Sequence, residues 1–280
     1  MLDVGSIASC EIGRGREATV YFVRSGDIEN MKTLHGQDKT NIAPSYFALR
    51  IPRKQGRVSL YTRMVCAMPR HPHVVGIHAV DGATGLMLLE YIGGGTLADE
   101  LVCDVVSPRR AVLVITQVLR GVAHMHAHQL MHGDLSPTNV LLGERGECKL
   151  TDYFVESSSS FAVYGAPAYM APEAARGEAV QSSDVWSVGC MMLALIGLPP
   201  WQDSEVKLED GQVVDLGYSG ALIYHLACRK IALRGPPEFA TADTSCDRLF
   251  FDVLARIFTP VEGRVSASEL LVSKKWCLLQ

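Results

Sequence analysis

Three residues in one short stretch, Asp134, Asn139 and Asp152, have the types and spacing that phosphoryl transfer from a magnesium nucleotide needs. They lie in MHGDLSPTNVLLGERGECKLTD, residues 131–152, as an H-x-D-x-x-x-x-N pattern followed thirteen residues later by a second aspartate. A carboxylate on a loop can take or orient a hydroxyl proton, while an amide and another carboxylate offer magnesium the hard oxygen ligands it prefers. A lone aspartate would say little, because most are solvated groups or caps. The joint pattern carries the argument.

The flanking sequence predicts what must hold these groups. Val140-Leu141-Leu142 and Lys149-Leu150-Thr151 read as two short strands joined by a turn over 143–147, so Asp152 leaves the hairpin beside the loop that bears Asp134 and Asn139. Upstream, Ser107-Pro108 opens a helix to about Gln129, with Val112, Ile115, Val118, Leu119 and Val122 at helical spacing. That helix is a core scaffold for the loop. Nearer the amino terminus, residues 9–23 predict two strands around a turn containing Gly13 and Gly15, and YFALRI over 46–51 alternates like a strand. Residues 24–45 read as a long polar connection, 58–68 as a short basic helix, and 86–95 as an apolar strand ending in a glycine-rich hinge.

Bulk properties narrow the class. The 280 residues can bury a large core, and a net charge of −4 gives no overall case for nucleic acid or membrane binding. Eight cysteines without a C-x-x-C pair argue against a zinc site or disulfide framework and for free thiols in a reducing compartment. The longest apolar stretch, 188–198, is too short to span a bilayer, so the expectation is a cytoplasmic protein without membrane insertion.

Beyond the loop, GAPAYMAPE, the run DVWSVG from Asp184, and Arg264 in EGRVSASELL follow in a familiar order. Together these motifs resemble the protein kinase family. LIGLPPW and GRVSASELL most resemble its MAP kinase kinase kinase branch, with 204–220 as an inserted loop. The resemblance implies an α+β, two-lobed kinase fold: one domain over 1–280, with a small β-rich lobe bearing one helix to about residue 92 and a larger helical lobe from 93. It implies ATP and Mg2+ as cofactors and a protein substrate or signalling partner. Asp134 would be the catalytic base, and Asn139 and Asp152 the metal ligands. Gly13 and Gly15 would cradle phosphates, Val20 and Ala48 would cover adenine, Arg50 would contact phosphates, and Glu90, Ile92 and Leu141 would complete the nucleotide set. Asp184 would brace the catalytic loop, and Arg264 would pair with Glu173.

Six positions depart from the family pattern: Arg50, Thr62, Gly133, Ser136, Phe154 and Ala166. Arg50 stands where the nucleotide-binding lysine is expected, and Thr62 where a helix glutamate would hold it. No Asp or Glu occurs anywhere from 51 to 80, which excludes a charged clamp from that helix. Ala18 closes the alternative of a glycine-loop lysine, although Arg14 and Arg16 are close in sequence. Ser136 replaces a catalytic-loop lysine, and Ala166 a threonine that would bond it and the base. The resemblance therefore implies a weakened serine/threonine kinase or, alternatively, a nucleotide-binding pseudokinase. Gly133 removes an arginine that captures activation-segment phosphate, so the serines at 157–160 are expected to be indifferent to phosphorylation, with packing of Tyr153 and Phe154 setting the segment.

Overall fold

The computed structural model describes residues 10–15, 18–28, 35–36, 45–53, 60–103, 106–153, 165–198, 205–207, 213–215 and 245–280. The chain divides into two units, Met1–Gly93 and Gly94–Gln280, and its class is mixed α+β.

The first unit is built on an antiparallel sheet of six strands, in the order β1-β2-β4-β6-β5-β3. In sequence these are β1 (Cys10–Arg14), β2 (Ala18–Arg24), β3 (His35–Gly36), β4 (Tyr46–Pro52), β5 (Ile77–Val80) and β6 (Met87–Glu90). A one-turn helix, α1 (Ser25–Ile28), follows β2, and α2 (Leu60–Ala67) precedes β5. Both α1 and β3 fall within what reads from sequence as one long connection. Pairing fixes which side chains share a face: Val20 lies opposite Arg50 and Phe22 opposite Ala48, and β6 adds Met87 opposite Arg50 and Leu89 opposite Ala48. With the period-two pleat, Val20, Ala48 and Arg50 therefore lie on one face. The opposite face carries the core of Val23, Phe47, Leu49, Ala79, Leu86 and Leu88.

The second unit is assembled around two helices. Strand alternation gives way to 3.6-residue periodicity in α3 (Leu97–Cys103) and α4 (Pro108–Ala127). Ser107 caps α4, its hydroxyl accepting from the Arg110 N–H at 3.3 Å. All five apolar positions read from the spacing, Val112, Ile115, Val118, Leu119 and Val122, are buried. Each such side chain contributes about 1.5 to 3 kcal/mol of burial, so this face holds α4 in place. It packs on α6 (Gln181–Leu195), on α8 (Ala267–Val272) and on the hairpin of β7 (Val140–Leu142) with β8 (Cys148–Leu150). The helix α6 follows the one-turn α5 (Pro172–Ala175) and is apolar on nearly every side, as a fully enclosed helix must be. A Cβ on Gly189 would sit 2.6 Å from Ile257, so glycine is what lets α7 (Ser245–Ile257) approach. The strands β9 (Glu205–Lys207) and β10 (Val213–Asp215) pair antiparallel inside the stretch read as an inserted loop. The closing helix is α9 (Lys274–Leu279). No helix among the described residues is long and apolar enough to cross a membrane.

Candidate active site

The loop bearing Asp134 is held from beneath by one buried carboxylate. Asp184, in the first turn of α6, accepts from the backbone N–H of His132 and of Gly133, each at 2.9 Å, and from His126 Nε2 at 2.8 Å. The brace expected of Asp184 is therefore in place. Gly133 adopts φ +78°, a left-handed conformation that other residues enter only with strain. Its glycine thus serves the turn as well as removing a cation.

Asp134 itself is fixed by a donor that no side chain announces. The Ala166 N–H donates to Asp134 Oδ1 at 2.9 Å. A Cβ on Gly165, whose φ is +113°, would come within 3.1 Å of the Gly133 carbonyl oxygen and 3.5 Å of Asp134 Oδ1. Residue 166 thus lost the threonine hydroxyl of the family pattern, yet its backbone still grips the carboxylate. Burial pushes the Asp134 carboxyl above its ordinary range; His132 and the Ala166 N–H oppose that shift, while the charge of Asp152 adds to it. His132 is buried, and desolvation lowers its pKa despite the opposing carboxylates of Asp184, Asp134 and Asp152. The Asp134 N–H donates to His132 Nδ1 at 3.3 Å, which matches a neutral ring protonated at Nε2.

Asn139 is oriented just as firmly. Its Nδ2 donates to the Asp134 carbonyl at 2.7 Å, and the Thr151 N–H donates to the Asn139 carbonyl at 3.0 Å. This last bond ties the loop to the residue preceding Asp152. Asp152 has φ +57°, a strained conformer outside glycine. An amide oxygen and a carboxylate are the hard oxygen donors that suit magnesium, which takes one or two protein oxygens and completes its shell with phosphates and water. Ser136, by contrast, is buried with its hydroxyl 2.8 Å from that of Thr138, so it offers no charge to a phosphate.

Leu141 sits on β7, and Thr96 bridges to it. The Gly94 N–H donates to the Leu142 carbonyl at 3.0 Å; a Cβ there would lie 2.3 Å from that oxygen, so only glycine fits. Farther along, Arg264 clamps Glu173 through both nitrogens: Nη1 bonds Oε1, and Nη2 donates to Oε2 at 3.2 Å. Ser183 adds a bond to Glu173 Oε1 at 2.8 Å, and Trp186 lies 4.9 Å beneath the guanidinium. This pair was legible from its motifs.

The first unit presents its own residues. Gly15 closes the turn after β1, its N–H donating to the Ala18 carbonyl at 2.9 Å, and Arg53 Nε donates to the Gly15 carbonyl at 3.0 Å. Among the described residues no atom crowds a Cβ at Gly13 or Gly15, the nearest being Val20 Cβ at 3.9 Å and the Ala18 oxygen at 3.6 Å. Arg14 is engaged by Glu11 at 2.5 and 2.8 Å, a bidentate pair that sequence spacing alone did not single out. Arg50 is buried on β4, beside Val20 and Ala48 on the same face. The Glu90 N–H donates to the Gly76 carbonyl at 2.8 Å and its carboxylate accepts from the Gly76 N–H at 3.0 Å, just before Ile92. Thr62 lies in α2, which carries no acid. Arg16, the side chain of Thr62, Phe154 and the serines at 157–160 lie outside the described residues; Tyr153 is buried, its ring 6.2 Å from that of His132.

A family model described as protein kinase domain matches residues 8–220. Mitogen-activated protein kinase kinase kinase 17 of Arabidopsis thaliana is 30% identical over 224 residues, covering 74% of this chain and 56% of the relative. Mitogen-activated protein kinase kinase kinase 18 of the same plant is 35% identical over 167 residues, covering 56% and 48%. Its CBL-interacting serine/threonine-protein kinase 21 is 26% identical over 287 residues, covering 96% and 61%. The chain spans about half the length of the curated relatives it matches, and two of these carry the branch name that LIGLPPW and GRVSASELL suggest. With the family match running across most of its length, the chain belongs to the protein kinase family.

Proposed function

We propose that this chain is a cytoplasmic serine/threonine kinase-like phosphotransferase that moves the γ-phosphate of ATP to a protein hydroxyl at a reduced rate. The observation that supports the reading is the grip on Asp134, its carboxylate accepting from the Ala166 N–H and its carbonyl from the Asn139 amide. In this reading Asp134 accepts the proton of the acceptor hydroxyl, and its anchoring keeps one oxygen oriented while the other faces the substrate. Asn139 Oδ1 and the Asp152 carboxylate would hold magnesium, which when bound neutralises charge on the transferring phosphate. In the first unit Gly13 and Gly15 would let phosphates approach backbone, Val20 and Ala48 would face the adenine and Arg50 would supply one phosphate contact; in the second, Leu141 would contribute to the nucleotide set. The Glu90 N–H is spent on Gly76, so the base edge would meet the Glu90 carbonyl and the Ile92 backbone.

A second reading, a nucleotide-binding pseudokinase acting as scaffold for a signalling partner, is favoured by Ser136 turned to Thr138 and by the acid-free α2. Each missing preorganised donor can remove about two to three orders of magnitude in rate. Thermal-shift titration with ATP, with and without magnesium, followed by phosphate transfer from labelled ATP to a generic protein substrate, separates the two. Magnesium-dependent stabilisation with transfer abolished by Asp134→Asn is expected. Stabilisation without any transfer selects the pseudokinase, and no stabilisation in either condition removes nucleotide from the account.

A further inference from the structure

We infer that Arg53, just past the end of β4, is a further phosphate-binding residue of the first unit, its guanidinium meeting the triphosphate of ATP at the glycine turn. The inference rests on the nucleotide reading above. Strand pairing brings Arg53 to that place: Pro52, the last residue of β4, lies opposite Ala18, the first of β2, so the chain leaves β4 beside the turn that joins β1 to β2. From there Arg53 Nε donates to the Gly15 carbonyl at 3.0 Å. A guanidinium donates from all three nitrogens, and among the described residues no second hydrogen bond engages this one, so both Nη groups remain for a ligand.

The backbone of the turn leaves this role open. Gly15 spends its N–H on the Ala18 carbonyl at 2.9 Å and its carbonyl on Arg53, so it gives a phosphate room to approach and no donor of its own. Neighbouring cations are committed differently. Arg14 is held by both carboxylate oxygens of Glu11, and Arg50 is buried on the sheet face. Glu11 also feels the charge of Arg53, but one carboxylate facing two guanidinium groups leaves the set with a net positive charge. No acid from 51 to 80 offsets it from the following chain. Arg53 needs no carboxylate on α2 to aim it, because the Gly15 carbonyl does so. An exposed planar fork with unspent charge, held at an open glycine turn, suits phosphate, which arginine binds through paired N–H groups.

The test is calorimetric titration of the full chain with magnesium ATP and, separately, with adenosine, in wild type, Arg53→Gln and Arg53→Glu. Arg53 is exposed, so both variants should fold, and melting without ligand checks this. Affinity for ATP should fall about tenfold in Arg53→Gln, the size of one lost charge-assisted bond, and further in Arg53→Glu. Adenosine, which has no phosphate, should bind all three proteins alike. Added salt should narrow the gap for ATP, because an exposed contact is screened. Equal ATP affinity in wild type and Arg53→Gln overturns the inference and leaves the nucleotide reading standing. A parallel loss for adenosine also overturns it, since Arg53 would then only shape the turn. A wild type that binds neither ligand removes the nucleotide reading itself, and this inference with it.

Discussion

The two units preserve different things. In the second, the carboxylates and the amide around the Asp134 loop are met by partners: Asp184 takes three donors, Asn139 spans Asp134 and Thr151, and Glu173 is locked by Arg264 and Ser183. In the first, the sheet face keeps its shape through Val20 and Ala48, but the charge machinery has changed to a buried Arg50, an Arg14 committed to Glu11, and an α2 without acids. Geometry and charge handling have therefore separated. A buried network cannot lose one member without exposing the rest to unmet desolvation, whereas a phosphate contact can be altered without cost to folding.

Unlocking the second unit puts the greatest strain on this contrast. Arg264→Ala leaves Glu173 buried without its cation and should cost about 3 to 5 kcal/mol, read as a large fall in denaturation midpoint. Burial works to raise the Glu173 carboxyl, but the Arg264 guanidinium and Ser183 more than offset it and hold its pKa low. A lowered carboxyl contributes stability above its unfolded value, about pH 4.3, and loses it as pH falls through the folded value. The gap between wild type and Arg264→Ala should therefore close in acid. A gap that stays constant to about pH 3 would remove the ion pair from the explanation.

Next in size is the backbone grip on Asp134. Gly165→Ala forces a side chain into φ +113° and toward the Gly133 carbonyl, which should cost about 1 to 3 kcal/mol and displace the Ala166 N–H. Unfolding in denaturant measures the first, and transfer activity the second. Asp134→Asn should act oppositely on stability. The new amide oxygen can still accept from Ala166, while a desolvated charge is gone. Because the Asp134 carboxyl is raised, the protonated wild type resembles the variant. The Asp134→Asn protein should therefore melt higher at neutral pH, and its advantage should vanish below about pH 4. An equal melting temperature at neutral pH would show that Asp134 is well solvated.

Much of this was legible in the sequence. The apolar spacing of α4, the β7–β8 hairpin, Asp184 as brace and the Glu173–Arg264 pair all have side chains as their signal, and side chains are what a sequence prints. The Ala166 grip was not legible, because a backbone donor is carried by every residue but proline; only the glycine before it hints that the chain must pass close. Gly133 read as a missing arginine, and the backbone adds a second reason for it in the left-handed turn. The Arg14–Glu11 pair is a three-residue contact across a strand end, where no periodicity marks a partner.

The smallest effect is expected at Arg50, where the same contrast is probed from the first unit. Lysine there would restore the family's residue on a face already shared with Val20 and Ala48. A lysine ammonium is a flexible point charge that needs a fixed counter-ion to aim it, whereas arginine spreads its charge over a planar fork. With no acid on α2, nothing on that helix can aim it. Arg50→Lys alone should therefore change transfer activity by less than about tenfold, equivalent to under about 1.4 kcal/mol of transition-state stabilisation. Pairing it with Thr62→Glu should give more than either change alone, and the double-mutant cycle measures that surplus. A large gain from the single lysine would show that the first unit already holds a carboxylate in range, and the contrast between the two units would then reduce to one residue.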